Sequence, residues 1–262
     1  MITLIKLGGS LITDKTSERS FNAHIVHQIA SVIHQTKQHT PSLKIIIGHG
    51  SGSFGHFEAK RHNTIQGVHT SQQWEGFTAV AHAARELNYM VSKEMRQAGL
   101  PIWSLQPSAS AITDDMKIEI MQLETLQVAL DNGVIPLVYG DVAIDRKLGG
   151  TIISTETIFQ YLTEQFPVER ILLLGTTDGV YDQNGEVIEH ITPQNYSQYA
   201  DVLGGSDGVD VTGGMLTKVN DMLSLVDSFD GLTIRIMNGT HYESLYQVLM
   251  NNTQQIGTLI SV

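Results

Sequence analysis

The chain has 262 residues, of which 41% are hydrophobic, enough to bury one large core or two fused lobes, as expected of an enzyme-sized α/β unit. Its formal net charge is −11 and it contains no block of five or six basic residues, which argues against nucleic acid or an anionic membrane surface as a partner. It has no cysteine, which excludes disulfides and thiolate chemistry, and residues 1–10 lead into a strand without a signal-peptide pattern, so a cytoplasmic location without membrane spans is expected.

Short apolar runs alternate along the chain with segments of helical period. The apolar runs predict strands at residues 2–7, 44–49, 101–105, 134–139, 170–175 and 232–237. The periodic segments predict helices at residues 22–39, 71–98 (as one or two helices), 124–132 and 215–227. Because each strand is continuously apolar, we expect helices on both faces of the sheet. This order predicts an α/β fold, a three-layer αβα sandwich around a mainly parallel open sheet.

Residues 141–153 depart from that alternation. They predict a hairpin with a glycine-bearing tip at residues 146–150, which we interpret as a flap near the carboxyl edge of the sheet. No linker rich in proline or serine interrupts the chain. Any two lobes are therefore expected to share one continuous sheet, with a boundary near residues 160–170.

A first glycine-rich turn, Lys6-Leu7-Gly8-Gly9-Ser10, ends the first predicted strand. Glycine allows the backbone to approach a ligand closely, so that N–H groups can cradle a phosphate. Lys6, in an otherwise apolar strand, would add positive charge where a phosphoryl group sits. Lys15 follows in a polar run, where a plain surface lysine is an equal alternative.

A second glycine-rich turn, residues 48–56, follows the second predicted strand. Its Gly50, Gly52 and Gly55 match the spacing of a dinucleotide-binding turn, but the expected acidic residue about 20 positions later is lacking, which disfavours an NAD-type fold. His56 at the end of this turn is suited to bond a phosphate oxygen. His49 is expected to pack or to cap its strand.

Two later segments also suggest anion or nucleotide contacts. Gly213-Gly214 followed by Lys218 predicts a helix N-terminus with a lysine on its first turn, although an ordinary helix start is an alternative. Asp178-Gly179 breaks a buried strand at a position suited to hold an adenosine group, with a simple surface turn equally plausible. We find neither a metal-ligand constellation nor a serine nucleophile elbow.

Together these segments resemble the amino acid kinase family over almost the whole chain. The motifs that carry the resemblance are Lys6-Leu-Gly-Gly-Ser10 with Lys15, Gly50 to His56, Tyr139-Gly-Asp141, Asp178-Gly-Val-Tyr181, and Thr212-Gly-Gly-Met215 with Lys218. The resemblance implies an N-terminal lobe (residues 1–165) for the phosphate acceptor, a C-terminal lobe (residues 166–262) for ATP, and a homodimer.

The resemblance also implies an activity, the ATP-dependent phosphorylation of isopentenyl phosphate to the diphosphate by direct in-line transfer. The alternatives are a fosfomycin kinase, or another small phosphate or phosphonate kinase of the family, and a domain that senses nucleotide without turnover. A sensor needs no lysine on the transferring group, so the retention of Lys6, Lys15, His56 and Lys218 argues against it. ATP and Mg²⁺ are the implied cofactors, and Mg²⁺ is expected to arrive with the nucleotide.

The resemblance assigns roles to individual residues. The implied catalytic residues are Lys6, Lys15 and His56. The implied ATP-binding residues are Lys6, Gly8, Gly9, Gly52, Asp178, Tyr181, Gly214 and Lys218. The implied acceptor-binding residues are Ser51, Gly55, His56 and Gly140.

Three segments depart from the family pattern. Ser51 replaces the middle one of three consecutive glycines, Ser154-Thr-Glu-Thr157 stands where a Ser-Gly-Asp run is frequent, and Thr176-Thr-Asp178 replaces a more acidic sequence. Helix 71–98 carries Phe77, Val80 and Ala81 on one face. This face is a candidate wall for the apolar tail of the acceptor, although such a stripe is more often plain core.

Overall fold

The computed structural model describes residues 1–14, 16–200, 214–250 and 255–262. The strands are β1 (Ile2–Leu7), β2 (Lys44–His49), β3 (Ile102–Ser104), β4 (Ala111–Asp114), β5 (Lys117–Met121), β6 (Ile135–Tyr139), β7 (Asp141–Asp145), β8 (Gly149–Ile153), β9 (Val168–Gly175), β10 (His190–Ile191), β11 (Thr233–Asn238) and β12 (Thr258–Ile260). The helices are α1 (Gly9–Ile12), α2 (Ala23–His39), α3 (Gly52–His62), α4 (Ser71–Gln97), α5 (Glu124–Asp131), α6 (Thr155–Gln165), α7 (Gly214–Ser228) and α8 (Tyr242–Leu249).

Eight of these strands form one sheet in the order β10-β12-β11-β9-β1-β2-β6-β3. The pairs from β11 through β3 are parallel, and β12 is antiparallel to β11. The strands within residues 2–139 thus lie on one side of the sheet and those within residues 168–260 on the other. The two groups meet where β1 pairs with β9. This confirms the prediction of a mainly parallel open sheet.

Helices cover both faces of the large sheet. Successive side chains of a strand point to opposite faces, so one strand contributes to two separate buried clusters. On β1, Ile5 and Leu7 belong to a buried cluster that includes side chains of α2, α4 and α8. Leu4 belongs to a second buried cluster, which includes side chains of α5, α6 and α7. The three-layer αβα arrangement predicted from the sequence is therefore present.

The remaining four strands form a separate sheet in the order β5-β4-β7-β8. The predicted hairpin at residues 141–153 is present as β7 and β8, which pair antiparallel. It is not an isolated flap, however, because β7 also pairs in parallel with β4. This second sheet was not predicted from the sequence, and the division of the chain into two lobes stays a prediction.

Local sequence explains the bounds of the long helix α4, which is a single helix. Its N-cap residue, Thr70, forms a reciprocal capping box with Gln73. Gly99, with a φ of +89°, follows its last turn, as is common where a helix ends. Among the residues that the structure describes, no helix has the length and apolar character needed to cross a membrane.

Candidate active site

The predicted site residues gather where parallel strands of the large sheet end. Lys6 lies near the end of β1, and Gly50 follows β2 directly. Gly140 comes directly after β6, and Asp178 lies three residues beyond the end of β9. The loops at the carboxyl edge of an open parallel sheet are the usual place for a ligand in α/β proteins.

The two glycine turns contact each other at this edge. A Cβ atom on Gly9 would lie 2.8 Å from the backbone N and Cα of Gly52. Gly52 has a φ of +50°, and a Cβ there would lie 2.4 Å from Oγ1 of Thr13. That hydroxyl donates to the carbonyl of Gly9 at 2.7 Å and accepts the N–H of Ser53 at 2.9 Å. Both glycines are therefore required by the close approach of the two turns.

Gly8 has a different role in the packing. Its N–H donates to the carbonyl of Leu174 on β9 at 2.8 Å. A Cβ on Gly8 would lie 2.8 Å from that same oxygen. Gly8 thus brings the first turn against β9. Its N–H is already bonded to Leu174, which does not support the implied contact with ATP, and that contact stays a prediction.

Lys6 forms an ion pair with Glu156, the second residue of α6. The Lys6 side chain is 15% exposed and that of Glu156 is 39% exposed. Burial raises the pKa of Glu156, but the positive charges of Lys6 and Lys218 and the hydrogen bond from Lys6 hold this pKa below its usual value. Glu156 is consequently a carboxylate whose charge acts on two of the predicted ATP-binding lysines.

The sequence analysis missed Glu156 as a site residue and treated its segment only as a departure from the family pattern. Ser154 caps α6 by accepting the N–H of Thr157 at 3.0 Å, which places Glu156 in the first turn of the helix. A serine followed two residues later by an acidic residue after a strand is a helix-start signal. That signal could have located the helix, although not the contact with Lys6.

Lys218 lies in the second turn of α7 and is partly buried. Gly214 is the first residue of this helix, one position before the predicted start, so Lys218 lies one turn later than the predicted first turn. Thr212 and Gly213 lie outside the described residues, and so does Lys15. The implied role of Lys15 therefore stays a prediction.

The segment around His56 is helical and not a turn. Helix α3 begins at Gly52, so His56 lies on this helix and is exposed. The interpretation of residues 52–56 as part of a glycine turn was therefore wrong. A Cβ on Gly55 would lie 2.4 Å from Cβ of Ser51, so the side chain of Ser51 occupies the space above Gly55.

Gly140 lies beside the second glycine turn. Its N–H donates to the carbonyl of His49 at 3.0 Å. A Cβ on Gly140 would meet no protein atom closer than 3.6 Å among the described residues. Packing within the protein alone does not require glycine here, which agrees with its implied position against a substrate.

The loop after β9 places Asp178 and Tyr181 side by side, because the N–H of Asp178 donates to the hydroxyl of Tyr181 at 3.3 Å. Nδ2 of Asn238, at the end of β11, donates to Oδ1 of Asp178 at 3.0 Å. Asp178, Asn238 and His241 line a cleft of about 320 Å³. The two residues implied in nucleotide binding thus share one loop at the carboxyl edge.

The candidate tail-binding wall on α4 faces the second sheet. A Cβ on Gly150 of β8 would lie 2.9 Å from the ring of Phe77. The same ring packs edge-on against Trp74, with 5.1 Å between the ring centroids. Val80 is buried and Ala81 is partly exposed. Phe77 therefore packs between helix and hairpin, and its contact with an acceptor stays a prediction.

The chain matches the model of the amino acid kinase family over residues 1–238, and it therefore belongs to that family. Within the family it is similar to isopentenyl phosphate kinases. It is 29% identical to that of Methanocaldococcus jannaschii over 261 residues, which cover 97% of each chain. It is 32% identical to that of Haloferax volcanii over 227 residues, 86% of this chain and 88% of the relative. An X-ray structure of isopentenyl phosphate kinase matches with a TM-score of 0.82 and 26% identity over the whole of both chains.

Proposed function

We propose that this protein is a kinase that transfers the γ-phosphoryl group of ATP to isopentenyl phosphate, giving isopentenyl diphosphate. The observation that carries the proposal is the meeting of two interlocked glycine turns with the Lys6–Glu156 pair at one edge of the sheet. The end-to-end similarity to isopentenyl phosphate kinases supports the choice of acceptor. Fosfomycin, the alternative acceptor, has no comparable support.

ATP fits the described residues in two respects. The two turns pack so closely at Gly9 and Gly52 that neither position can hold a side chain, and a glycine-rich backbone of this kind is suited to bind phosphate through its N–H groups. Lys6 and Lys218 add positive charge, and Asp178 and Tyr181 offer polar groups for the nucleoside end. Mg²⁺ is commonly held through one or two carboxylates together with substrate phosphates, and we expect it to be bound with ATP.

The reaction needs positioning and charge more than covalent chemistry. ATP, when bound, supplies the γ-phosphoryl group, and ADP is the leaving group. We expect Lys6, Lys15 and Lys218 to stabilise the charge on the transferring oxygens, and Glu156 to pair with Lys6 until the phosphates bind. We expect His56, with Ser51, Gly55 and Gly140, to bind the phosphate of the acceptor so that one of its oxygens attacks in line.

The lobes and the assembly are also part of the proposal. We assign the acceptor to residues 1–165 and ATP to residues 166–262, with the glycine turns at their boundary. We expect a homodimer, because the edge strand β3 presents Trp103 with 47% of its surface exposed and α4 presents Tyr89 with 69% exposed. A cytoplasmic location agrees with the lack of cysteine and the need for ATP.

A coupled ADP-release assay tests the proposal with isopentenyl phosphate, dimethylallyl phosphate, fosfomycin and acetylglutamate as acceptors. We expect the highest kcat/KM with isopentenyl phosphate and inversion of configuration at a chiral γ-phosphate. A higher kcat/KM with fosfomycin would contradict the proposed acceptor but not the proposed kinase activity. Retention of configuration would contradict direct transfer.

A further inference from the structure

A chain of hydrogen bonds begins behind the second glycine turn and ends at the edge of the sheet. His49 is fully buried, and its Nδ1 lies 2.9 Å from the carbonyl oxygen of Gly50. Its Nε2 lies 3.1 Å from Nδ2 of Asn88, a buried residue of α4. Oδ1 of Asn88 accepts a hydrogen bond from the hydroxyl of Ser104 on β3. None of these three side chains has been assigned a role in the reaction.

The partners fix the proton positions in this chain. A carbonyl oxygen only accepts, so Nδ1 of His49 must carry the hydrogen that points to Gly50. Burial lowers the pKa of His49 to about 4, so the ring is neutral near pH 7 and its Nε2 is an acceptor. Nε2 therefore takes the N–H of Asn88, which turns Oδ1 of the amide toward the hydroxyl of Ser104. A flipped amide would put two acceptors against each other.

The backbone of His49 is tied to other parts of the site. Its carbonyl accepts the N–H of Gly140 at 3.0 Å and the hydroxyl of Thr155 at 2.6 Å. Thr155 is the first residue of α6 and directly precedes Glu156. The ring of His49 also stacks on Tyr139, with 5.5 Å between centroids and 8° between planes. A shift of His49 would thus move Gly50, Gly140 and the start of α6 relative to one another.

We propose that Asn88 and Ser104 are positioning residues of the phosphoryl transfer, which act through the tautomer of His49 to hold the carbonyl of Gly50 and thereby the acceptor-binding segment 50–56. This inference rests on the proposed acceptor role of that segment. Neither residue touches a substrate. Their effect on the reaction is the orientation of the turn that leads into α3.

The variant Asn88→Asp separates positioning from simple packing, because aspartate has the size of asparagine but cannot donate when ionised. A neutral His49 must then donate from Nε2 to Asp, which leaves the carbonyl of Gly50 without its donor. A protonated His49 donates from both nitrogens and restores both bonds. The surrounding titratable and charged groups include Tyr139 on β6, Asp141 on β7 and Arg85 on α4, and these are the same in both proteins.

We expect the KM of Asn88→Asp for isopentenyl phosphate to approach that of the wild type at low pH and to rise by about tenfold as pH increases through the raised pKa of His49. The acceptor's own phosphate titrates at about pH 6 and affects both proteins alike, so the transition is read from the ratio of the two KM values at each pH. Ser104→Ala, a milder change, should raise the acceptor KM several-fold with a smaller effect on the KM for ATP. Ser92→Ala, on the same helix, is the matched control and should change neither constant.

Nuclear magnetic resonance of the ¹⁵N-histidine-labelled full chain without substrates tests the tautomer independently of the acceptor. We expect one non-titrating ring with its proton on Nδ1 in the wild type, which begins to titrate in Asn88→Asp. An Nε2-protonated ring in the wild type would overturn the inference even if isopentenyl phosphate is the substrate. Parallel pH profiles of the acceptor KM in wild type and Asn88→Asp would overturn it as well.

Discussion

Two carboxylates, one at the glycine turns and one in the second sheet, are held in opposite ways. Glu156 faces the side chain of Lys6 and the charge of Lys218. Asp145, only 2% exposed, accepts the N–H groups of Asp115, Met116, Lys147 and Leu148 and the hydroxyl of Thr113. The first carboxylate is neutralised by long, movable cations, and the second by fixed neutral donors.

The difference is the one expected between the proposed active site and a structural site. Lysine side chains can turn from a carboxylate to an incoming phosphate at little cost, because they are flexible and partly exposed. Backbone N–H groups cannot leave Asp145 without unfolding the two turns that they belong to. Under the proposed function, the same type of residue would therefore assist phosphate binding at one place and fix the shape of the second sheet at the other.

The largest expected effect is on turnover. Lys6→Met should lower kcat by about 10²–10³-fold, since a charge aimed at the transferring phosphoryl group stabilises mainly the transition state. The thermal unfolding midpoint should change little, because a partly exposed ion pair contributes little to stability. Steady-state kinetics and calorimetry measure the two effects. A kcat within threefold of wild type would show that Lys6 does not take part in the reaction. Glu156→Gln is the matched variant, and we expect it to lower kcat less than Lys6→Met does.

A more selective loss is expected at the acceptor. His56→Ala should raise the KM for isopentenyl phosphate by about 10–100-fold and leave the KM for ATP nearly unchanged, because a hydrogen bond to a charged oxygen contributes roughly 1.5–3 kcal/mol. Initial-rate measurements with each substrate varied in turn separate the constants. Equal losses for both substrates would show that this end of α3 does not belong to the acceptor alone.

Asp145→Asn should have the reverse profile. We expect the free energy of unfolding to fall by about 2 kcal/mol, because the charge-assisted bonds to five donors are weakened. The kcat of the folded protein should stay close to wild type. Urea denaturation followed by circular dichroism measures the loss. Lys147→Ala, which removes only an exposed ion pair with Asp115, is the control and should leave the midpoint unchanged.

The stabilisation by Asp145 should also depend on pH, with an effect no larger than that of Asp145→Asn itself. Burial raises the pKa of Asp145, but its hydrogen bonds, led by the N–H of Met116, lower it to about 2 from the usual 3.8. Because the folded pKa is depressed, the stabilisation is complete above 3.8 and is lost as pH falls through about 2. The difference in unfolding free energy between wild type and Asp145→Asn should shrink over that window by about 2 kcal/mol. A difference in unfolding free energy that does not change with pH would contradict the lowered pKa of Asp145.

The sequence was sufficient for six of the eight strands of the large sheet, because these six are continuous apolar runs, whereas β10 and β12, of two and three residues, were not predicted. It was not sufficient for β4 and β5, since residues 111–121 mix polar and apolar side chains and lie largely at the surface. Helix α3 was missed because its first turn contains Gly52 and Gly55, which disfavour helix when taken alone. Packing of the buried Phe54 and the bond from Ser53 to Thr13 favour the helix instead.

Some residues of the candidate site could also be predicted from the sequence and others could not. Lys6, Gly9, Gly52, Asp178 and Lys218 could be recognised from local motifs, and the structure places them at one edge of the sheet. Glu156 could not, because its partner Lys6 is 150 residues away in the chain. The chain from His49 to Ser104 was missed for the same reason, since it joins three elements that only the fold brings together.

The hydroxyl of Thr13 has a thermodynamic consequence. It bonds to Gly9 in one glycine turn and to Ser53 beside the other, so neither turn can shift without straining the same side chain. If the turns serve different substrates, the binding of one changes the affinity for the other, and linkage requires the two changes to be equal. A single threonine would in this way give the enzyme synergy between its two substrates without any movement of a domain.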